Sequence, residues 1–194
     1  MIHKLMLEIP NSIETERLLL RCYKPGDGSW YYQMSLRNKE HLSRYEPRNA
    51  VMTINSEQDA EVTMREFALG WAGRKYFMMG AFLKTTGTFV AQVYIGPVNW
   101  KLPEFQVGYI ADVGHQGKGY VTEAVQAATR FIYEHLQAHR ISLETDETNV
   151  RSRKVAERCG FVREGRLREN KLNDDGTRSD TLLYGLLKSE LKGR

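Results

Sequence analysis

The chain has 194 residues, 41% of them hydrophobic and 27% charged, with a net charge of +4, and this length predicts one domain across residues 1–194. No run of about 18 apolar residues occurs, which argues against a membrane span, and MIHKLMLEIPNS lacks an apolar core with a small-residue cleavage site, so a cytoplasmic location is expected. Cys22 and Cys159 fit a reducing compartment and give no metal signature, while the dispersed Lys and Arg predict a solvated surface and no direct nucleic-acid contact.

In chain order, ERLLLRC (16–22) predicts a short strand, broken by Pro25, Gly26 and Gly28. An aromatic-rich helix is expected from Asp27 to about Arg37, and residues 44–55 read as loop. Ser56 and Asp59 form a helix-start box; Ala60, Met64, Phe67 and Trp71 then recur at helical spacing, and Gly70 and Gly73 mark the stop. Residues 76–84 and 88–96 predict a hairpin turning at Thr86-Gly87, with a third strand over 104–113. HQGKGY leads into a long helix in which Val121, Ala124, Val125, Ala128, Ile132 and Leu136 share a face. A strand over 140–146, a short helix from Arg151 to Cys159 capped by Gly160, and strands over 161–172 and 178–187 joined by Asn173-Asp174-Asp175-Gly176 complete the order. Adjacent strands without a helix between them pair antiparallel, and a helical crossover allows parallel pairing. The expected fold is α/β (α+β): a central mixed, mostly antiparallel sheet of six to seven strands flanked by about four helices.

The loop HQGKGY carries the first chemical signal. A helix start presents unpaired N–H groups and partial positive charge, and flanking glycines let an anion approach. Phosphate binding is one reading, with Lys118 adding charge; a tight turn using glycine for geometry alone is the other. The ATP-loop pattern G-x-x-x-x-G-K-[ST] fails, because Lys118 sits between the glycines. A dinucleotide fingerprint beginning at Gly117 would need a third glycine where Thr122 stands.

Gln116-Gly117-Lys118-Gly119-Tyr120-Val121 instead resembles the Q/R-x-x-G-x-G/A loop of the GNAT acetyltransferases, with Val121 where Gly or Ala is usual. Thr15-Glu16-Arg17-Leu18-Leu19-Leu20-Arg21 is similar to the opening of RimJ/RimL-type members. Gly108-Tyr109, Gly119-Tyr120-Val121-Thr122-Glu123-Ala124, His139-Arg140-Ile141, Asn149-Val150-Arg151-Ser152, Gly160-Phe161, Glu164-Gly165, Asp180 and Tyr184 follow collinearly over about residues 14–190. The resemblance implies the GNAT fold and direct acetyl transfer from acetyl-CoA, a co-substrate, to an amine, with no covalent enzyme intermediate and no metal. Cys159 is then a buried apolar residue rather than a nucleophile.

The resemblance also implies site roles. The pantetheine lies where the strand after the loop helix splays from the strand at 104–113. Gly108 permits a bulge there, and backbone groups of Ile110, Ala111 and Val113 are expected to pair with it. Gln116, Gly117, Lys118, Gly119, Tyr120, Val121 and Thr122 would wrap the pyrophosphate, and Asn149 would meet a pantetheine amide. Lys118, Arg151 and Lys154 are candidates for CoA phosphates or solvated surface charges. The tyrosine that many members use to protonate the departing sulfur is replaced by Ala156; Ser152 is the candidate for that role, and a helix cap is its alternative. The carboxylate often found just before Gly-Tyr is Gln106 here. Glu104, two residues earlier on the same strand face, is the candidate base, an exposed loop carboxylate being the alternative; Glu169 and Asp112 are weaker ones. His135 and His139 lie four apart, a spacing that suits metal, but no third ligand accompanies them.

The acceptor is an amine, with the N-terminus of a ribosomal or other protein preferred from the RimJ/RimL resemblance. A small-molecule or antibiotic amine, or a non-catalytic acyl-CoA-binding module, is the alternative. The acceptor region implied by the family takes in Trp30, Tyr31, Tyr32, Arg44, Tyr45, Glu46 and Trp71, whose aromatics serve either a peptide groove or the core. A monomer or homodimer is expected.

Overall fold

Turn residues and alternating apolar positions in the first half of the chain build an antiparallel meander. The computed structural model describes residues 3–173 and 175–191. β1 (Ser12–Glu14) and β2 (Leu18–Cys22) pair antiparallel. α1 (Gly28–Ser43) and α2 (Glu57–Ala72) follow. β3 (Phe77–Leu83), β4 (Phe89–Asn99) and β5 (Glu104–Ala111) then run antiparallel to one another. α3 (Tyr120–His135) crosses over to β6 (Arg140–Asp146), and α4 (Val150–Arg158) leads to the hairpin of β7 (Val162–Leu172) and β8 (Arg178–Leu187).

All eight strands join one sheet in the order β1-β2-β3-β4-β5-β6-β8-β7. Among the described residues its one parallel pair is β5–β6, on either side of the α3 crossover. The expected mixed, mostly antiparallel sheet with four α-helices is present, with one strand more than the six to seven read from the sequence. The extra strand is β1, whose three residues are too short to show alternation.

The two sheet faces carry separate cores. Phe77, Met79 and Ala81 of β3 point to the face covered by α3, where they meet Ala124, Phe131 and Ile132. Their neighbours Met78 and Phe82 point the other way, to Tyr31 and Met34 of α1 and Met64 and Phe67 of α2, as the two-residue period of a strand requires. Ser56 caps α2 as its sequence promised, its Oγ accepting from Asp59 N at 3.0 Å. α1 runs well beyond Arg37, and a short 3-10 turn, Ala50–Thr53, interrupts the loop expected over 44–55. At the β7–β8 turn Gly176 takes φ +80° and its N–H donates to Asn173 O at 3.0 Å; Asp174 of that turn lies outside the described residues. α3 stops at His135, so His139 is beyond the helix and the two histidines do not share a helical face. Among the described residues, no helix is long and apolar enough to cross a membrane.

Candidate active site

The site begins where two strands part. β5 pairs with β6 only at Glu104–Arg140, Phe105–Ile141 and Gln106–Ser142. Beyond Gln106, β5 stays with β4 as far as Ala111, while β6 stays with β8 through Asp146. The gap becomes a cavity of about 760 Å³, walled by Val107–Ala111 on one side and Leu143–Asp146 on the other.

Ladder alternation determines which backbone groups face this gap. Asp112 N donates to Val90 O at 3.0 Å, so Ile110 and Gly108, in the same phase, also turn their polar groups to β4. The N–H and C=O of Tyr109 and Ala111 face the gap. Two expectations change in consequence. Gly108 carries no bulge in the β4–β5 ladder, whose register runs unbroken from Ala111 to Phe105; the opening comes from the departure of β6. Ile110 lines the cavity, but its backbone is occupied by β4, so Ala111 is the residue with backbone groups to offer. Val113 does not line the cavity, and its N–H is taken by Asn38 Oδ1 at 2.8 Å.

At the cavity mouth, Gly117 and Gly119 take φ +75° and +81°, in the left-handed region that glycine enters without strain. Gly119 is the N-cap of α3 and no side chain caps that helix. The one acidic residue of the first turn, Glu123, is turned away from the mouth. It accepts from Thr15 Oγ1 at 2.6 Å, Arg17 N at 3.0 Å and Arg17 Nε at 2.6 Å. Arg17 Nη1 also donates to Lys118 O at 3.1 Å, and its guanidinium lies 4.7 Å over the Tyr120 ring. The ERLLLR and GYVTEA blocks, about a hundred residues apart in sequence, thus brace one loop.

Gln116, Gly117, Gly119, Tyr120, Val121 and Thr122 all line the cavity; Lys118 does not, and its Nζ reaches back toward Gly114 O at 3.4 Å. Arg151, Lys154 and Arg158 of α4 add cations to the wall. Gln116 links three elements. Its Oε1 accepts from Arg151, and its amide nitrogen lies 2.7 Å from His41 Nε2 on α1. Burial and then Arg151 lower the His41 pKa against a pull upward from Asp112, so the neutral imidazole can accept that hydrogen bond.

Asp112 ties the end of β5 to α1. It is 2% exposed and accepts from Arg37 Nε at 2.7 Å and Asn38 Nδ2 at 3.1 Å, with His115 Nδ1 at 2.9 Å. Burial pushes its pKa up, but these partners outweigh it and hold the carboxyl below its usual range. A carboxylate so engaged is a structural anchor, and Asp112 does not line the cavity.

Asn149 is the N-cap of α4, its Oδ1 accepting from Ser152 N at 3.1 Å, so the cap is Asn149 rather than the Ser152 hydroxyl; both residues line the cavity. Tyr109 Oη lies 3.0 Å from Ser152 Oγ and 3.0 Å from Ser152 O. The single phenolic proton can serve only one of these. If it goes to Ser152 Oγ, the serine proton is free to point into the cavity. Burial raises the Tyr109 pKa strongly, so the phenol stays protonated as donor. Tyr109 was legible as half of the Gly108-Tyr109 pair, but its reach to Ser152 was not.

Glu104 stands elsewhere. It lies on the part of β5 where β6 is still paired, accepts from Arg140 Nε at 3.3 Å and does not line the cavity. Glu169 is also off the cavity, paired with Arg178 at 3.2 Å. Glu144 and Asp146 reach the wall on the β6 side, Asp146 already accepting from Ser179 Oγ at 2.6 Å and Thr148 Oγ1 at 2.6 Å, and on the α1 side the carboxylate that reaches it is Glu46, which follows α1. It remains open to solvent, yet the protein mass around it pushes its pKa up, against a downward pull from Lys171. Arg44 and Tyr45 line the cavity beside it. Of the other acceptor candidates, Tyr31 and Trp71 are core, Tyr32 packs against that core, and Trp30 stacks among Tyr23, Phe82 and Phe89. Cys159 is buried, its thiol pushed up to about 12 by burial, which fits an inert apolar residue. Ala156 is fully buried.

A split mixed sheet, an uncapped helix start at the mouth of the split and a hydroxyl pair inside it are what an α/β acyltransferase needs to hold an anionic carrier and its departing group. Residues 17–162 match the acetyltransferase (GNAT) domain, and the chain belongs to that family as an N-acetyltransferase. It is 25% identical over 183 residues to the ribosomal-protein-serine acetyltransferase of Escherichia coli, covering 92% of this chain and 94% of that one. Among solved structures, the fold is similar to the ribosomal-protein-S5-alanine acetyltransferase of Vibrio fischeri, with TM-score 0.81, 23% identity and coverage of 94% and 99%. It is also similar to RimJ of Mycobacterium smegmatis in complex with CoA-disulfide, with TM-score 0.80, 23% identity and coverage of 91% and 84%.

Proposed function

We propose that the protein transfers acetyl directly from acetyl-CoA to a primary amine, and that the amine is a protein N-terminus, a ribosomal protein being the preferred acceptor. The observation that carries this reading is the β5–β6 split, which opens from the glycine loop toward Ser152. The chain's residues fit such a carrier. The α3 mouth is uncapped and built on two positive-φ glycines, cations of α4 stand in the wall, and Ala111 turns unpaired backbone groups into the gap. The E. coli relative is named for acting on a ribosomal protein, and that acceptor class comes to this chain by similarity.

Acetyl-CoA supplies an activated acetyl group whose sulfur is displaced. Loop N–H groups of α3 hold the pyrophosphate by charge and hydrogen bonding. The Ala111 or Tyr109 N–H donates to the thioester carbonyl oxygen as charge grows there. Ser152 Oγ donates to the departing sulfur, and Tyr109 fixes the direction of that hydroxyl. Glu46 takes the first proton, which the ammonium must lose before attack; the second leaves nitrogen as the tetrahedral intermediate collapses and replaces the proton that Ser152 gives to the sulfur, so CoA departs as the thiol.

Thermal melts with acetyl-CoA, ATP and NAD side by side test the carrier. Ligand at about 100 times its Kd adds about 2.7 kcal/mol, a shift of about 5–10 °C for a chain of this size. A shift with acetyl-CoA alone is expected, and its absence near millimolar ligand would refute the reading. A panel of free-N-terminus peptides and alkylamines then separates the protein from the small-molecule acceptor.

Glu46→Gln tests the base. The carboxylate form is the active one, so kcat should fall as pH drops through the raised Glu46 pKa. The variant is expected to lose that acidic limb and about tenfold in kcat, less than the roughly 100- to 10,000-fold typical of general acid–base catalysis because water remains available. An unchanged pH profile would remove Glu46 from the role.

A further inference from the structure

A second, smaller cavity of about 260 Å³ adjoins the first. Glu46, Gly108, Tyr109 and Ile110 belong to both. Gly108 is the open floor between them, since a Cβ there would meet nothing nearer than Tyr94 at 3.8 Å. The second cavity lies on the α1–α2 face of the sheet, the face to which Ile110 and Met78 point. An acceptor seated there meets the transferring group from the side opposite Ser152.

Gln92 is the buried polar residue in its wall, 2% exposed. Its Oε1 accepts from Tyr23 Oη at 2.7 Å and from Tyr31 Oη at 3.1 Å. Both tyrosines are core residues, 1% and 0% exposed, and among the described residues neither hydroxyl has another acceptor. Turning the amide over would leave two buried phenolic protons without a partner, so the donated bonds fix the amide's orientation. The Nε2 group, with two N–H donors, is thereby presented to the cavity, and among the described residues no protein acceptor meets it. Nε2 is not among the buried polar atoms that lack a partner, so it is open to the cavity, where a ligand oxygen can take the place of water.

We infer that this second cavity is the acceptor subsite and that Gln92 is a specificity-determining residue, its Nε2 donating to a carbonyl oxygen next to the acceptor amine while Glu46 faces the amine itself. The required substrate class is an α-amino carbonyl compound, such as the first residue of a peptide. An alkylamine or polyamine offers no such oxygen and leaves the Gln92 donors unpaired. This inference rests on the proposed acetyl-CoA reading and deepens it.

The test uses CoA joined through its sulfur by a –CH₂–CO– linker to the nitrogen of alaninamide, and a matched conjugate in which the carboxamide is replaced by isopropyl. Calorimetry measures both, with CoA alone as reference. On the native protein the alaninamide conjugate is expected to bind about tenfold more tightly than its isopropyl partner, the scale of a buried hydrogen bond gained against a donor left unmet. Gln92→Glu keeps an acceptor for both tyrosines but turns an oxygen to the cavity, and should abolish the preference. Gln92→Leu should do the same if it folds. Equal affinities on the native protein, or a preference that survives Gln92→Glu, would overturn the inference while CoA binding stands. Failure of CoA alone to bind would instead strike the acetyl-CoA reading, and the inference with it.

Discussion

Gly119→Asp is expected to weaken acetyl-CoA binding by about 1000-fold or more. The residue is the N-cap of α3 and opens onto the cavity. Two unit charges about 4 Å apart interact by about 4 kcal/mol at the effective dielectric typical near a protein surface, and each 1.4 kcal/mol is tenfold in affinity. A carboxylate here faces a pyrophosphate and also removes the local surplus of positive charge at the helix start. The one atom within 4 Å of where a Cβ would stand is Arg17 Nη2, at 3.4 Å, so the added side chain has room and the fold should survive. Gly119→Ala separates the causes. It keeps the φ of +81°, strained for a residue with a Cβ, but adds no charge, and should bind far better than Gly119→Asp. Calorimetric titration of the native protein and both variants checks this; equal affinity for native and Asp forms would refute phosphate binding at the loop.

Ser152→Ala is expected to lower kcat by about 10- to 1000-fold with little change in acetyl-CoA affinity, toward and below the low end of the roughly 100- to 10,000-fold that a positioned proton donor contributes, because a thiolate can depart with less help. The capping bond at this position uses Ser152 N, not its hydroxyl, so alanine retains it and α4 should keep its start. What is lost is the Oγ 3.0 Å from Tyr109 Oη. Tyr109→Phe gives a graded comparison: it leaves the serine hydroxyl in place but undirected, and should cost less than Ser152→Ala. Single-turnover rates with a peptide acceptor read both. A full-rate Ser152→Ala enzyme would reduce the hydroxyl to a bystander, and a larger loss in Tyr109→Phe would move the donor role to the phenol.

Local rules carried a good deal of this protein. The Ser56 cap, the Gly117–Gly119 loop, the long apolar face of α3 and the antiparallel meander are short-range features, determined by residues within a few positions of each other. The family resemblance was legible because its motif blocks lie in order along the chain. Its blocks also meet in space, as Arg17 and Glu123 do, which no local rule states.

Other parts needed the assembled sheet. Glu104 and Gln106 share a strand face with Gly108, and alternation placed Glu104 near the chemistry; the divergence of β6 begins only after Gln106, leaving Glu104 paired to Arg140 outside the gap. Val113 was read as the last residue of the splayed strand, yet β5 stops at Ala111, Val113 opens a 3-10 turn and Asn38 of α1 claims its N–H. Glu46 and Gln92 carried no motif. One lies in a loop and the other reads as a polar residue in an apolar strand, and they reach one cavity because α1 folds over β4 and β5. The sequence by itself determined the elements, their order and the glycine-opened helix mouth, because those follow from backbone propensity and period. Only the tertiary structure decided which carboxylate, which hydroxyl pair and which buried amide face the gap, because that depends on where β5 and β6 part and on which side chains the packed core has already engaged.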